Sequence, residues 1–295
     1  MTLARLAVLA VVALLSGCES LQLLVANLPA HGASRRSDVA YASGPRGGMD
    51  IYLPPKGTPK EPAETRPRPL VIFWYGGGFT GGRRQDYRFV GAALAKAGYV
   101  TVLPDYRVYP EVRFPEFLDD AARAVIAARR EAGALGADPA RIVLVGHSAG
   151  AYIAAMLALE PAYLRAAGGD PDWIVGLIGL SGPYDIDPNT PVLDRVFRDT
   201  ATPDQFKPIA HVSPRAPPAL LLHGADDSLV SADHAEKLAV ALRAAGVAAS
   251  VNLYSGRGHA DTVAALSLAG RYRAPVLSDV VTFLQGISDA PQRRP

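Results

Sequence analysis

One cysteine, Cys18, is all that this 295-residue chain contains, so no disulfide can form within it. Charge is nearly balanced, +2 from 30 basic and 28 acidic residues, and the arginines lie scattered among the acids. There is no basic stripe to follow a phosphate backbone, which argues against nucleic acid as a partner. The six histidines show no metal-ligand spacing, and no cofactor is expected. Repeats and heptads are missing too. The amino-terminal apolar run, Leu6 to Leu15, has ten residues, too few to cross a bilayer core of about 30 Å as a helix.

That run instead reads as an export signal. Arg5 supplies a positive start and Leu15-Ser16-Gly17-Cys18 ends it. The ending resembles the lipobox of bacterial lipoproteins. The resemblance implies that residues 1–17 are removed and that Cys18 carries lipid. The protein would then be exported and anchored to a membrane of the cell envelope. Residues 18–37 read as a tether whose apolar half, Leu21 to Leu28, lies against membrane or protein. Residues 38–288 read as one catalytic domain and 289–295 as a tail.

Within that domain, apolar runs alternate with amphipathic stretches. Asp38–Tyr41 and Met49–Leu53, separated by Gly44-Pro45-Arg46-Gly47-Gly48, predict an edge hairpin. Continuous apolar runs at Leu70–Tyr75, Tyr99–Leu103, Ile142–Val145, Ile174–Leu180, Ala219–Leu222 and Val251–Tyr254 predict strands, most of them buried on both faces. Between them the spacing predicts helices over Phe89–Ala97, Phe114–Ala132, Ala151–Leu159, Ser231–Ala245 and Val276–Ile287, with Gly133 ending the second. Such alternation implies a mostly parallel sheet with helices on both faces.

The chemistry gathers where strands end. Gly146-His147-Ser148-Ala149-Gly150 is a G-x-S-x-G turn, strand to helix, with the serine on a strained corner. Glycines are needed two residues either side because a Cβ there would strike neighbouring backbone. Three glycines, Gly76 to Gly78, follow another strand and can turn N–H groups inward. His223-Gly224-Ala225-Asp226-Asp227 and Ser255-Gly256-Arg257-Gly258-His259 follow two more. Asp226 and Asp227 compete for one role; Asp227 is preferred, and the other is read as capping. His147 reads as packing that points away from the serine, and His223 as a buried structural histidine. His31, His211 and His234 show no pattern.

In this order the chain resembles the α/β-hydrolase superfamily, in the esterase branch related to hormone-sensitive lipases and to bacterial feruloyl/acetyl esterases. Tyr75-Gly76-Gly77-Gly78-Phe79 resembles H-G-G-G-[FW], and Asp105 to Glu111 resembles D-Y-R-L-x-P-E. Ser181 to Asp185 resembles S-G-x-Y-D, and His223-Gly224 with Asp227 and Val230 resembles H-G-x-x-D-x-x-V. The resemblance implies an α/β-hydrolase fold with a minimal cap, and a serine carboxylic-ester hydrolase that proceeds through an acyl-enzyme. Ser148 would be the nucleophile, His259 the base and Asp227 the acid, with Gly77, Gly78 and Ala149 as oxyanion donors. Tyr75 departs from the family histidine. With only Tyr184–Pro218 long enough to shape a lid, an open, shallow site for short-acyl esters is expected. Amide, formamide or lactone hydrolysis by the same residues, and a non-catalytic lipid-anchored binding module, are the alternatives. Oligomeric state is not readable.

Overall fold

Long β-branched and aliphatic runs form strands that must be covered on both sides, and here they are. The computed structural model describes residues 22–27, 33–57, 67–187, 191–198, 200 and 202–289. The expected signal sequence, Cys18 and the tail beyond Asp289 lie outside the described residues. Eight strands run β1 (Ser34–Ala40), β2 (Gly48–Leu53), β3 (Arg68–Trp74), β4 (Thr101–Pro104), β5 (Ala137–His147), β6 (Ile174–Leu180), β7 (Ala219–Gly224) and β8 (Ala249–Tyr254). They form one sheet in the order β1-β2-β4-β3-β5-β6-β7-β8. β1 and β2 pair antiparallel, as do β2 and β4; every other pairing is parallel.

The helices are α1 (Arg88–Lys96), α2 (Glu116–Ala132), α3 (Ala149–Leu159), α4 (Pro161–Ala166), α5 (Pro191–Phe197), α6 (Asp233–Ala244), α7 (Asp261–Ala264) and α8 (Val276–Asp289). α3 is buried on nearly every side, because it lies against β5, β6 and β3 and is covered by α2. That explains its lack of a polar face. α2 ends at Ala132 with Gly133 as its cap residue, still right-handed; a 3-10 turn follows to Leu135, and Gly136 at φ 85° makes the left-handed turn away.

The expected tether is tighter than its composition suggested. β1 begins at Ser34, and residues 22–27 form a helical turn against the domain, with Ala26 buried in the core. Both make polar or apolar contacts that a free linker would lack.

One buried cation ties this edge to the rest. The Arg84 guanidinium, 5% exposed, bonds Asp38 and Asp105 and lies 2.9 Å from Asp50 Oδ1. Asp105 also accepts the Arg84 backbone N–H at 3.0 Å. Arg107 makes a two-pronged contact with buried Asp120 on α2. The D-Y-R stretch therefore serves as scaffold, joining β4 to the hairpin and to α2.

Candidate active site

Strand order decides what can meet. β3 pairs directly with β5, Trp74 opposite Gly146, so the glycine loop after β3 lies beside the serine turn after β5. Ser148 sits between β5 and α3 at φ 55°, ψ −124°. A left-handed backbone of this kind costs a non-glycine residue about 1–3 kcal/mol and persists only where its surroundings hold it. The Ser148 N–H donates to the Leu180 carbonyl at 2.9 Å, and the Ser148 carbonyl accepts from Ala151 and Tyr152 at 2.9 and 3.1 Å. A Cβ on Gly146 would strike the Gly150 carbonyl, and one on Gly150 would strike the Trp74 carbonyl.

The loops after β7 and β8 are zipped together by backbone: Ala225 N–H to Tyr254 and Asp226 N–H to Arg257, both at 3.0 Å. This turns the Asp226 side chain outward, where it is exposed, and the Asp227 side chain inward, where it is fully buried. His259 Nδ1 lies 2.8 Å from Asp227 Oδ2, and His259 Nε2 lies 2.8 Å from Ser148 Oγ. Asp227 Oδ1 accepts the N–H groups of Leu229 and Val230 at 2.9 Å. His223 Nε2, buried at its strand end, adds a contact to Oδ2 at 3.2 Å. Burial alone would raise the Asp227 carboxyl. The bonds from His223 and His259, with the Val230 N–H, outweigh it and hold the group well below the usual carboxylate range. An ionised Asp227 only accepts, so His259 carries its proton on Nδ1 and offers Nε2 to the serine hydroxyl.

Gly77, Gly78 and Ala149 line one cavity with Ser148. Among the described residues no main-chain carbonyl accepts their N–H groups. Gly77, at φ 147°, has no room for a Cβ, which would meet the Gly81 carbonyl. Tyr75, in place of the family histidine, is fully buried. Its ring stacks on Tyr106 at 4.7 Å, its hydroxyl accepts from Arg46 at 3.0 Å, and its carbonyl accepts from the Tyr106 hydroxyl at 2.9 Å. The same Arg46 nitrogen reaches the Gly82 carbonyl, so one cation fastens both ends of the loop.

Three residues did not stand out in the sequence. His147 does not point away: it lines the cavity, and its ring centroid is 5.0 Å from that of His259. Its Nε2 lies 3.2 Å from the His259 carbonyl and its Nδ1 3.2 Å from the Tyr87 hydroxyl. Burial, helped by the neighbouring His259, pushes this imidazole down to about 3, so it is neutral. His234 also lines the cavity, with Nδ1 accepting the Asp185 N–H at 3.0 Å. Behind His259, Thr262 donates to its carbonyl at 3.2 Å and bonds Ser181 at 2.9 Å. Only the position of His147, next to the serine, was a usable signal.

The cavity holds about 760 Å³ and is walled by apolar side chains including Phe79, Ile186, Leu193 and Leu229. Phe197 and Phe206, on the stretch expected to form a lid, face away into a cluster of aromatic rings with Phe114 and Tyr152, and act as anchors.

Comparison with known proteins places these features. A family model described as BD-FAE matches residues 49–166, and one described as the prolyl oligopeptidase family matches residues 118–289. The isoprenylcysteine alpha-carbonyl methylesterase ICME of Arabidopsis thaliana is 29% identical over 77% of this chain and 56% of its own length. Esterase LipC of Mycobacterium tuberculosis is 30% identical over 71% of this chain and 55% of its own. The chain thus spans little more than half the length of these curated relatives. A solved esterase of Thermogutta terrifontis, with propionate bound, is alike in fold: TM-score 0.71 at 23% identity, covering 90% of this chain and 98% of that one.

Proposed function

Because the chain belongs to the α/β-hydrolase superfamily, in its esterase/lipase branch, we propose that it is a serine carboxylic-ester hydrolase. One observation carries the reading: Ser148 Oγ, the His259 ring and the Asp227 carboxylate are joined by two contacts of 2.8 Å on the cavity wall.

In this mechanism Ser148 Oγ attacks the ester carbonyl carbon while His259 Nε2 takes the hydroxyl proton. Asp227 stabilises the imidazolium. The N–H groups of Ala149, Gly77 and Gly78 bind the developing oxyanion, each such donor being worth about 10²–10³ in rate. Collapse expels the alcohol, which takes the proton from His259 and leaves an acyl-serine. Water, deprotonated by His259, then releases the carboxylic acid and restores the serine.

The substrates we favour carry short to medium apolar chains, because a cavity of about 760 Å³ with apolar walls exceeds what an acetyl group fills. Export and anchoring through Cys18 complete the proposal; Arg5, the Leu6–Leu15 run and the sequence Leu15 to Cys18 support it. Replacing Ser148 with Ala should abolish both hydrolysis of p-nitrophenyl butyrate and labelling by a fluorophosphonate. Persistent turnover would overturn the assignment. Cys18→Ser should move activity from the membrane fraction to the soluble one, and an unchanged distribution would refute the anchor.

A further inference from the structure

Residues 22–27 stand apart from the catalytic machinery, yet one of them reaches it. Leu23 lines the cavity that holds Ser148 and His259. Leu23, Ala26 and Asn27 are spaced as one face of a helical turn. Ala26 is buried at 3% exposure, while Leu24 and Val25, on the other side, are 61% and 44% exposed. The turn is fastened by a side chain. Asn27 Nδ2 donates to the Asp86 carbonyl at 2.7 Å, and Asn27 Oδ1 accepts the Phe89 N–H at 3.2 Å. These two contacts bracket Tyr87, the residue whose hydroxyl touches His147 and whose ring also lines the cavity.

We infer that residues 22–27 form a wall of the substrate site, that Leu23 limits the length of the apolar chain it accepts, and that Asn27 is the clasp holding that wall in place. The inference deepens the esterase reading and rests on it. Leu23 brings four apolar carbons to a cavity that the glycine loop, Asp86 and Tyr87 also line. An apolar wall selects by the chain length it can cover, since each added methylene gains only where it finds a surface. The backbone partners of Asn27 explain why an amide belongs at this position: it needs a donor and an acceptor at once.

The test uses the full chain and two ester series, p-nitrophenyl acyl esters from acetate to octanoate and alkyl acetates from ethyl to octyl. These arms tell whether the wall meets the acyl or the alkoxy chain. Leu23→Trp should lower the ratio of kcat/KM between the longest and the shortest ester at least tenfold in one series, and Leu23→Ala should shift the cut-off toward longer chains. Asn27→Ala, which frees the same wall, should shift the cut-off in the same direction as Leu23→Ala, with kcat on the shortest esters little changed. It should also speed hydrogen exchange across residues 22–27, a readout independent of turnover. Val240→Ala, on the exposed face of α6 and away from the cavity lining, is the control and should leave the profile as it is. Unaltered profiles in both Leu23 variants, or exchange in 22–27 as fast in the unmodified chain as in Asn27→Ala, would overturn the inference alone. Failure of the unmodified chain to hydrolyse or to take the fluorophosphonate would overturn the esterase reading, and this inference with it.

Discussion

His147 Nε2 lies 3.2 Å from the main-chain carbonyl of His259, so the residue just before the proposed nucleophile holds the backbone of the proposed base. A carbonyl only accepts, which puts the His147 proton on Nε2 and leaves Nδ1 to accept from the Tyr87 hydroxyl at 3.2 Å. The chain Tyr87–His147–His259 fixes one tautomer and one ring position.

Tyr87→Phe deletes one link of that chain while keeping the ring. A neutral hydrogen bond is worth about 1 kcal/mol, so kcat should fall about fivefold with KM nearly constant. Steady-state kinetics on p-nitrophenyl butyrate check it. A rise in KM alone would mean that Tyr87 touches substrate rather than steadying His259.

The buried imidazole of His147 also makes stability depend on pH. In the unfolded chain a histidine takes a proton near pH 6.5, at about its reference value. In the folded protein His147 remains neutral down to about 3. Between these limits the unfolded state binds one more proton, so stability falls on acidification by up to about 1.4 kcal/mol per pH unit. His147→Asn should remove this slope. Urea midpoints measured from pH 7 to pH 4 that decline in parallel for both proteins would contradict it.

Asp227→Asn should lower kcat by about 10³–10⁴, since an amide can present its donor to Nδ1 and favour the wrong tautomer of His259. Asp226→Asn, with its side chain in solvent, should stay within about twofold of the parent. Equal losses in the two variants would show that the acid has been misassigned.

Gly150→Ala places a Cβ against the Trp74 carbonyl, a main-chain atom at the centre of the sheet that cannot rotate away. Overpacking of this kind costs about 1–3 kcal/mol, and more where backbone must move. A urea midpoint equal to that of the parent would show that the turn can widen.

Arg84→Met leaves the buried carboxylate of Asp105 without its cation and that of Asp50 with only the partly exposed Arg35, 3.4 Å away. Breaking a buried pair from one side costs about 3–5 kcal/mol, so the hairpin β1–β2 should detach first. Hydrogen exchange in β1 and β2 that matches the parent would refute this.

Much of this protein was written in its one-dimensional pattern. Apolar runs of strand length, glycines at strand ends and helical spacing between them decided the elements, because burial on two faces and close backbone approach each demand particular residue types. The same logic picked out Ser148, Asp227 and His259 as residues worth bringing together. What the pattern left open was relational. Asp226 and Asp227 are alike as residues, and only the pairing of the loops after β7 and β8 turns one outward and the other toward His259. His147 looked like packing because nothing local reveals a carbonyl 112 positions away. Residues 22–27 looked like tether because a short apolar stretch reads the same against lipid or protein. Side-chain type and period are local properties, whereas a contact between distant loops is set by strand order and register, and those exist only once the sheet has formed.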